Sequence, residues 1–352
     1  MVACHSELRL PLNLDHPLDR ALLRARLSGT ERLEIREDAP VEGHGWTNGR
    51  PVEFLTALTP TAPPARPLPV TASPGETLRP GTSTLLHAQL IGAPARFDEL
   101  LTTHLPRLAD QLAGLGLRRW WIRRHRDTIR VEADQHLSLY LRLAEPAEPA
   151  VWKALSEFAA DLASRALPAQ LILVPYHQHP ARYGHGPALD AAEAVFAADT
   201  TAAIAQLRTA DKAGIPAQAL AAASMARLAA AFAPDPHTGY RNLLACLQHA
   251  TAPAERGITD LARLLADPTR DYHGLRALPG GDATAAAWQA HDSALSAYHA
   301  CLLPQRNPTT VLRTLLYEHH VRAVGVDPDF ERATNHAARA AAMRCLATAG
   351  TR

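Results

Sequence analysis

Apolar residues follow two different patterns along the chain. In the first half, several segments have the apolar and polar composition of β-strands, and these are 8–14, 33–35, 85–92, 119–126, 129–132, 136–143 and 171–174. Beyond Leu189 nearly every segment has the period of a helix, with breaks at 214–216, 234–239 and 279–281. Strands followed by helices predict an α+β fold, with antiparallel strands in the N-terminal half and a mostly helical C-terminal half.

Helices are also predicted among the strands of the first half. One begins near Asp15 and Pro17, so that the start of the chain forms a small βαβ element. Another covers about 97–115, and Pro106 predicts that it is kinked or split, because proline removes a backbone hydrogen bond. A further amphipathic helix covers 151–167 and ends before a proline.

The main domain boundary is predicted from proline content. Five prolines lie between Pro60 and Pro80 among small polar residues, a composition that favours extended polyproline segments over packed elements. We therefore expect three parts: a small N-terminal element at 1–58, a linker at 59–83 and one large domain at 84–352.

Charge and cysteine content exclude several classes of protein. The 36 basic and 35 acidic residues nearly cancel, so no overall field would attract nucleic acid. The four cysteines show no Cys-x-x-Cys spacing, which indicates reduced thiols and neither a zinc knuckle nor a disulfide framework. The N-terminal residues do not resemble a signal peptide, and no stretch is apolar for long enough to span a bilayer. We expect a soluble cytoplasmic protein with no nucleic-acid or membrane partner.

The 18 histidines do not predict a metal centre. Two clusters, one at 177–185 and one at 318–320, lack the spacing in which two histidines four apart on a helix flank a glutamate. We therefore expect no metal.

Three segments carry a resemblance when they are taken together. The first is RWWIRRHRD at 119–127, followed by HLSLYLRL at 136–143; the second is PYHQHPARYGHG at 175–186, with AEAVFAADT at 192–200; the third is LLYEHHVRAVG at 315–325. In order and spacing they resemble the C-terminal, glutamate-eliminating domain of lantibiotic dehydratases and the stand-alone thiopeptide proteins that share its fold. The resemblance covers roughly Leu85 to the end and implies an elimination-domain-like fold.

Departures from the family pattern indicate which branch the chain resembles. Ser138 and Tyr140 stand where the family has paired arginines, His179 replaces an acid, and Tyr317 takes the place of a histidine. An eliminase needs cations for the leaving glutamate and a base for the α-proton, so these changes count against elimination. The profile is similar to that of thiopeptide pyridine synthases.

The resemblance implies a formal aza-[4+2] cycloaddition between two dehydroalanines of an azole-containing precursor peptide. Loss of water and of the leader peptide then gives the pyridine core and the macrocycle of a thiopeptide antibiotic. Such a reaction needs no metal, nucleotide or redox cofactor; it needs the two alkenes to be held together and protons to be transferred.

Candidate residues follow from the same resemblance. We expect catalytic roles for Tyr317 and Tyr140 as proton donors or relays, with His136, His179 or His319 as the base and Ser138 beside them. Substrate-binding candidates are Arg182, Arg142, Arg124, Tyr183 and Arg322. Arg142 should share a strand face with His136, Ser138 and Tyr140, because alternate strand residues point the same way.

Less specific interpretations of three features stay open. Tyr317 could instead fill the core, and Arg182 could pair with Glu193 or Asp199 to brace the fold. In the N-terminal element, Arg20, Arg24 and Arg26 could capture an acidic leader peptide by charge and strand addition. They could equally form a solvated helix face paired to Asp19 and Glu31.

Two other functions compete with pyridine synthesis. One is glutamate elimination from glutamylated Ser or Thr to give dehydroalanine, and the other is a non-catalytic scaffold that binds the leader peptide. In each case the expected partner is a modified precursor peptide with its leader, together with the dehydratase and azole-forming enzymes of the same pathway.

Overall fold

The computed structural model describes residues 2–5, 8–29, 34–36, 76–127, 135–167, 170–247, 255–303 and 305–349. The chain divides into two compact units, 1–70 and 71–352, and the boundary lies within the segment predicted as a linker. The division into 1–58, 59–83 and 84–352 stays a prediction. The predicted strand at 129–132 and the side chain of Arg26 lie outside the described part of the chain.

The N-terminal unit is a small antiparallel sheet with one helix. Strands β1 (Val2–His5), β2 (Leu8–Pro11) and β3 (Glu34–Arg36) lie in the order β2-β1-β3, and helix α1 (Pro17–Gly29) connects β2 to β3. The strand–helix–strand order expected from the sequence is present. An additional strand, β1, lies between β2 and β3 and pairs antiparallel with both.

The second unit is built on an antiparallel sheet of four strands in the order β6-β7-β5-β8. The strands of this unit are β4 (Thr77–Leu78), β5 (Leu85–Ile91), β6 (Leu117–His125), β7 (His136–Leu143), β8 (Gln170–Val174) and β9 (Tyr176–His177). The short strand β4 lies within the segment predicted as a linker, and it pairs with β9 beside the main sheet.

One face of the sheet is covered by the helices of the first half: α2 (Phe97–Glu99), a π-helical segment (Leu100–His104), α3 (Leu105–Ala113) and α4 (Pro149–Ser164). The predicted break near Pro106 is confirmed, since the π-helical segment ends two residues before it. Proline provides no N–H for the carbonyl four residues earlier. That carbonyl belongs to Thr102, and it accepts a hydrogen bond from Arg208 Nε at 3.1 Å instead.

The C-terminal half is helical, as predicted, which confirms the α+β fold class. Its helices are α5 (Pro180–Tyr183), α6 (Pro187–Ala213), α7 (Ala217–Ala231), α8 (Pro236–Cys246), α9 (Arg256–Leu265), α10 (His273–Arg276), α11 (Gly281–Leu302), α12 (Pro308–Ala323) and α13 (Pro328–Ala349). Helix α7 is buried among the others. Gly239 lets α8 approach it closely, because a Cβ atom there would lie 2.2 Å from the carbonyl oxygen of Ala229. Among the described helices, none combines the length and the apolar character that crossing a bilayer requires.

Strand β7 shows how the sheet separates its two faces. Leu137, Leu139, Leu141 and Leu143 are buried against the helices of the first half. The alternate residues, from His136 to Arg142, point to the opposite face, toward the C-terminal helices, as the alternation predicts. The polar face of the sheet is therefore where the candidate chemistry lies.

Candidate functional site

Strand pairing brings the polar side chains of three strands into rows on one face. Tyr140 of β7 lies opposite Trp121 of β6 and His87 of β5. One step along, Ser138 lies opposite Arg123. At the end of the strands, His136 lies opposite His125, and their rings stack with centroids 4.3 Å apart.

A cavity of about 310 Å³ opens over this face. The sheet, the segment from Pro175 to Tyr183, and helices α6 and α12 enclose it. Its lining residues are His87, Trp121, Arg123, His125, Tyr140, Pro175, Tyr176, His177, His179, Arg182, Tyr183, Phe196, Glu318 and Arg322. All three segments that carried the resemblance contribute to this lining.

Aromatic rings form one wall of the cavity. Tyr140 is stacked between His87, at 4.3 Å, and Trp121, at 5.2 Å between ring centroids, while Tyr176 meets it edge-on at 5.6 Å. Ser138 is fully buried and shares a hydrogen bond of 3.0 Å with His87 Nε2. The Tyr140 ring is thus held rigidly, with a hydroxyl and an imidazole as its polar neighbours.

Burial keeps the titratable groups of this wall uncharged. Burial raises the pKa of Tyr140, which a hydrogen bond with Ser138 partly opposes. Burial also lowers the pKa of His87 to about 4, and burial followed by the charge of Arg123 lowers that of His125 to about 3. At neutral pH this wall carries neutral hydrogen-bonding groups.

An ion pair lies beside the aromatic wall and connects the sheet to α12. Arg123 Nε donates to both carboxylate oxygens of Glu318, at 3.0 and 3.2 Å, and its Nη1 lies 3.0 Å from His125 Nδ1. Burial by itself lowers the pKa of Arg123, but Glu318 raises it overall and Tyr317 adds to the increase. Glu318 is only 2% exposed, so the two charges largely neutralise each other within the cavity wall.

A buried carboxylate, Asp199 of α6, is connected to this ion pair through Arg322. It accepts a hydrogen bond from Arg322 Nη1 at 2.7 Å and lies 2.5 Å from His319 Nδ1. Arg322 also donates to the carbonyl of Ile122, and its Nη2 lies 3.9 Å from Glu318. Burial alone would raise the pKa of Asp199, but His319, His291 and Arg322 lower it overall, so it is ionised.

The structure brings five of the predicted site residues to the cavity: Tyr140, His179, Arg182, Tyr183 and Arg322. Two further ones, His136 and Ser138, lie on the same face of β7 and contact lining residues. His179 and Arg182 are exposed, and burial followed by the charge of Arg182 lowers the pKa of His179.

Other predicted residues lie elsewhere. Arg142 pairs with Glu193 at 2.6 Å, and Arg124 points to the opposite side of β6, where it pairs with Asp98 at 2.7 Å. His319 is fully buried beneath the cavity, where direct contact with a substrate is blocked. Tyr317 lines a second, larger cavity.

Two of the less specific interpretations are wrong. The carboxylates offered as partners of Arg182 are already paired, Glu193 with Arg142 and Asp199 with Arg322. Tyr317 is 36% exposed, so its ring does not fill the core.

In the N-terminal unit, the arginines considered for leader capture are exposed where their side chains are described. Arg20 Nη1 donates to the carbonyl of Leu14 at 2.8 Å and to that of Asp15 at 3.3 Å, and Asp19 accepts from the backbone of Asn13. Arg24 is exposed on the same helix. Arg20 is therefore engaged by backbone carbonyls ahead of α1.

Several lining residues were missed from the sequence, above all Arg123, Glu318 and His87. The signal for Arg123 was present, because alternation along β6 puts Trp121, Arg123 and His125 on one face and Arg124 on the other. Glu318 had no such signal, since it lies next to Tyr317 on a helix and neighbours on a helix point in different directions. Within the described ranges, no three His, Cys, Asp or Glu side chains are arranged to hold a metal ion.

Comparisons with known proteins agree with the motifs. Residues 86–342 match the model of the family described as lantibiotic biosynthesis dehydratase C-term. The tRNA-dependent lantibiotic dehydratase MibB from Microbispora sp. 107891 is similar in fold, with a TM-score of 0.63 and 23% identity, over 99% of this chain and 36% of MibB. The chain thus spans about a third of the length of MibB.

Two smaller solved proteins are also similar. TsrL has a TM-score of 0.48 and 13% identity, over 74% of this chain and 97% of TsrL. The pyridine synthase TbtD from thiomuracin biosynthesis has a TM-score of 0.48 and 13% identity, over 77% of this chain and all of TbtD. Among curated protein sequences, none matches this chain.

Proposed function

The chain belongs to the family of lantibiotic biosynthesis dehydratase C-terminal domains, and on that premise we propose that it forms the six-membered nitrogen ring of a thiopeptide. The reaction is a formal aza-[4+2] cycloaddition within an azole-containing precursor peptide. One dehydroalanine, with the preceding amide as its iminol, is the aza-diene and a second dehydroalanine is the dienophile. Loss of water and of the leader as a carboxamide then makes the ring aromatic.

The observation that carries this proposal is the neutral, aromatic character of the cavity wall around Tyr140. Tyr140, His87 and His125 are uncharged hydrogen-bonding groups at neutral pH, and Arg123 and Glu318 neutralise each other. A cycloaddition between two alkenes expels no anion of its own and needs proton transfers to form the iminol and to release water. Positioned neutral donors can supply roughly 10² to 10⁴-fold in rate for such transfers.

The size of the cavity also fits the reacting part of such a peptide. About 310 Å³ lies at the small end of the range of roughly 300–1,000 Å³ typical of ligand sites. It can hold two dehydroalanines and a flanking azole against the rings of Trp121 and Tyr140, but not a whole peptide. Holding the two alkenes in contact can supply on the order of 7 to 11 kcal/mol of the barrier.

Tyr140 is the proton donor that we favour. Its ring is fixed between two aromatic neighbours, and Ser138 with His87 forms a short relay behind it. His179, exposed at the rim beside Arg182, and His136, stacked on His125, remain candidates for the base. Tyr317 and His319 do not line this cavity, so we assign neither a direct proton transfer in it.

Glutamate elimination is the second candidate, and the arginines of the cavity favour it. Arg123, Arg182 and Arg322 all line the cavity, and cations of this kind could bind the carboxylates of a leaving glutamate. Against it, Arg123 is engaged by Glu318 and Arg322 by Asp199. Arg182 is left as the exposed cation at the rim.

Mass spectrometry of the purified protein separates the candidates. The protein is incubated, without added cofactor, with a leader-bearing peptide that contains azoles and two dehydroalanines. We expect release of the leader as a carboxamide together with an ultraviolet-absorbing macrocycle. In a parallel reaction the protein receives a glutamylated peptide. Loss of glutamate there, with the first peptide unchanged, would establish elimination, and tight binding without change in either peptide would indicate a leader-binding scaffold.

The partners follow from this activity. We propose that the substrate is a modified precursor peptide with its leader, delivered in the cytoplasm by the dehydratase and azole-forming enzymes of the same pathway. Capture of the leader by Arg20, Arg24 and Arg26 of the N-terminal unit stays a proposal. Deletion of residues 1–56 without loss of leader affinity would exclude it.

A further inference from the structure

A small cavity of about 260 Å³ opens beside the end of β6, and we call it the Arg124 pocket. Its volume lies just below the range of roughly 300–1,000 Å³ typical of ligand sites, so it can hold one part of a ligand, such as a single residue of a peptide. Its apolar lining is Pro94, Phe97, Val324, Val326 and Phe330, and its polar lining includes Arg124, His125, Arg126 and Asp327.

The guanidinium group of Arg124 is held at two of its nitrogen atoms, and the third has no partner. Arg124 is only 6% exposed; its Nε donates to the carbonyl of Arg322 at 3.0 Å, and its Nη1 lies 2.7 Å from Asp98. The buried Nη2 has no hydrogen-bond partner among the described residues. Buried donors without a partner are rare in folded proteins, because each one costs free energy. Since Arg124 lines the pocket, a ligand there can provide the missing acceptor.

A second buried side chain near Arg124 also lacks partners. In the described part of the chain, neither ring nitrogen of His320 has a hydrogen-bond partner. Burial lowers the pKa of His320 to about 4, and the charges of His319 and Arg124 add to the decrease while Asp327 opposes it. The imidazole is therefore neutral at pH 7. The interior around Arg124 thus contains polar groups that the protein itself does not satisfy.

The charges of the pocket are already balanced. Arg124 pairs with Asp98, and Arg126 Nη1 lies 3.9 Å from Asp327. An anionic ligand is therefore not needed, because each arginine of the lining already faces a carboxylate. A peptide carbonyl can accept from the unpaired N–H without adding charge, and the apolar walls suit an apolar side chain. The lining thus indicates a neutral ligand that combines a carbonyl oxygen with an apolar group.

The Arg124 pocket and the proposed reaction cavity share a lining residue. His125, the last residue of β6, borders both openings. A peptide with its reacting residues in the cavity therefore has to extend only past the end of β6 to reach the pocket.

From these contacts we propose that the Arg124 pocket binds an apolar residue of the substrate peptide, outside its reacting dehydroalanines, and that Arg124 Nη2 donates a hydrogen bond to a backbone carbonyl of that residue. The proposal rests on the proposed function only in taking the occupant to be the precursor peptide. Such a contact holds the peptide at the cavity in the ground state and in the transition state alike, which lowers KM.

A small neutral probe tests the pocket without any turnover. The probe is N-acetyl-leucine methylamide, which has an apolar side chain and amide carbonyls, and its comparison is N-acetyl-leucine, which carries a carboxylate. Ligand-observed NMR titrations give the affinities of both for the full chain. We expect the methylamide to bind with a Kd on the order of 1 mM, as is usual for a ligand of this size, and at least as tightly as the acid. Tighter binding of the acid, or no binding of the methylamide, overturns the proposal.

Two variants separate the hydrogen bond from the shape of the pocket. Arg124→Met removes the donor and should weaken binding of the methylamide about tenfold, the loss expected for a hydrogen bond to a charged group. Val326→Phe fills the pocket from the turn between α12 and α13 and keeps Arg124, so it should abolish binding even if Arg124→Met fails to fold.

A matched control comes from Arg107, which is exposed on α3 and lines neither opening. Arg107→Met should keep the wild-type affinity for the methylamide. Wild-type affinity in Val326→Phe, or an equal loss in Arg107→Met and Arg124→Met, contradicts the proposal.

Photo-crosslinking locates the bound probe. N-acetyl-photoleucine methylamide carries a diazirine in its side chain, and peptide mass spectrometry identifies the residues that it labels after irradiation. We expect labels within residues 94–97 or 324–330, and none there in Val326→Phe. Labels confined to residues of the reaction cavity, such as Tyr140 or Tyr183, would mean that the probe binds in that cavity instead.

The outcomes keep the two proposals apart. If the probe binds as expected while no ring forms with the azole peptide, the pocket stands and pyridine synthesis fails. If the ring forms and Val326→Phe leaves KM unchanged, the precursor peptide does not occupy the pocket and this proposal fails alone. With both correct, Val326→Phe raises KM and leaves kcat unchanged, because the contact is made equally in the ground and transition states.

Discussion

The two faces of the central sheet are made by the same strands, and they are held in different ways. On the face toward α3 and α4, leucines of β7 such as Leu139 pack into an apolar cluster with almost no exposed surface. On the other face, charged side chains reach out from the sheet to carboxylates on helices: Arg123 to Glu318, Arg142 to Glu193, and Arg119 to Asp190. The first face is stabilised by close packing of apolar side chains, and the second by ion pairs between the sheet and the helices.

This difference explains why the cavity lies where it does. Apolar packing leaves no space, because gaps in a core cost stability. Ion pairs hold helices at the distance of two long side chains, so an opening remains between Tyr140 on the sheet and Glu318 on α12. The C-terminal helices thus both bound the site and orient its polar groups.

The largest expected effect comes from breaking the buried pair of Asp199 with Arg322. Asp199→Ala leaves Arg322 charged and buried, at a cost of about 3 to 5 kcal/mol in the free energy of unfolding. Urea denaturation measures it. Asp190→Ala is the control, since Asp190 is largely exposed in its pair with Arg119 and such a pair contributes at most about 1 kcal/mol. Similar losses in the two variants would contradict the view that buried pairs hold the polar face.

The next effect is on the apolar face. Leu139→Ala should lower the free energy of unfolding by about 2 to 5 kcal/mol, because it removes buried methyl groups and leaves a cavity. Leu139→Met, which conserves volume, should cost less than about 1.5 kcal/mol. Denaturation at neutral pH compares them. A loss in Leu139→Met as large as that in Leu139→Ala would argue that shape, rather than volume, controls this face.

A change at Tyr140, the residue after Leu139, should affect catalysis more than stability. Tyr140→Phe keeps the stacked ring, so the free energy of unfolding should change by less than about 1 kcal/mol, whereas kcat should fall roughly 10²-fold through loss of the proton donor. Initial rates of macrocycle formation measure kcat. A fall of less than about fivefold excludes Tyr140 as the donor, given the usual size of general acid catalysis.

The smallest effect is a pH dependence of stability that originates on the polar face. Burial lowers the pKa of His87 to about 4, and burial together with Arg123 lowers that of His125 to about 3, below the value of about 6.5 in the unfolded chain. The unfolded state therefore binds more protons below about pH 6.5, so stability is full above that pH and is lost as pH falls toward 4.

Urea midpoints measured at pH 7.5 and pH 5 test this, and we expect a smaller fall in His87→Asn than in the wild type. Asp292 in the helical half acts in the opposite direction, because burial raises its pKa to about 6 and favours the folded state at low pH. A comparison with the single His87 variant isolates the histidine. An identical fall in both proteins would place the acid sensitivity elsewhere.

Much of the fold could be predicted because it depends on local patterns. The alternation from His136 to Leu143 predicts which residues share a face, and the structure confirms it. Pro106 predicts the interrupted helix, and Gly214 marks the end of α6 in the left-handed conformation that glycine adopts easily. Motif order along the chain indicated the family, which the match over residues 86–342 shows.

The composition of the site could be predicted only in part, for a geometric reason. Tyr140, His179, Arg182, Tyr183 and Arg322 were expected and line the cavity. Two pairs of consecutive residues show why the rest could not be predicted. Strand β6 turns Arg123 toward the cavity and Arg124 away from it, and α12 presents Glu318 to this cavity but Tyr317 to the second, larger cavity.

The sequence by itself determined most of the strands and helices, the face that each residue occupies on its own strand, and the kind of chemistry available. Only the tertiary structure decided which face met the C-terminal helices and which groups became buried together. Asp199 illustrates this, because nothing near it in sequence signals that it will lie beside His319 and Arg322, about 120 residues away. Periodicity is a local property, whereas charge neutralisation and exclusion of water depend on contacts between distant segments.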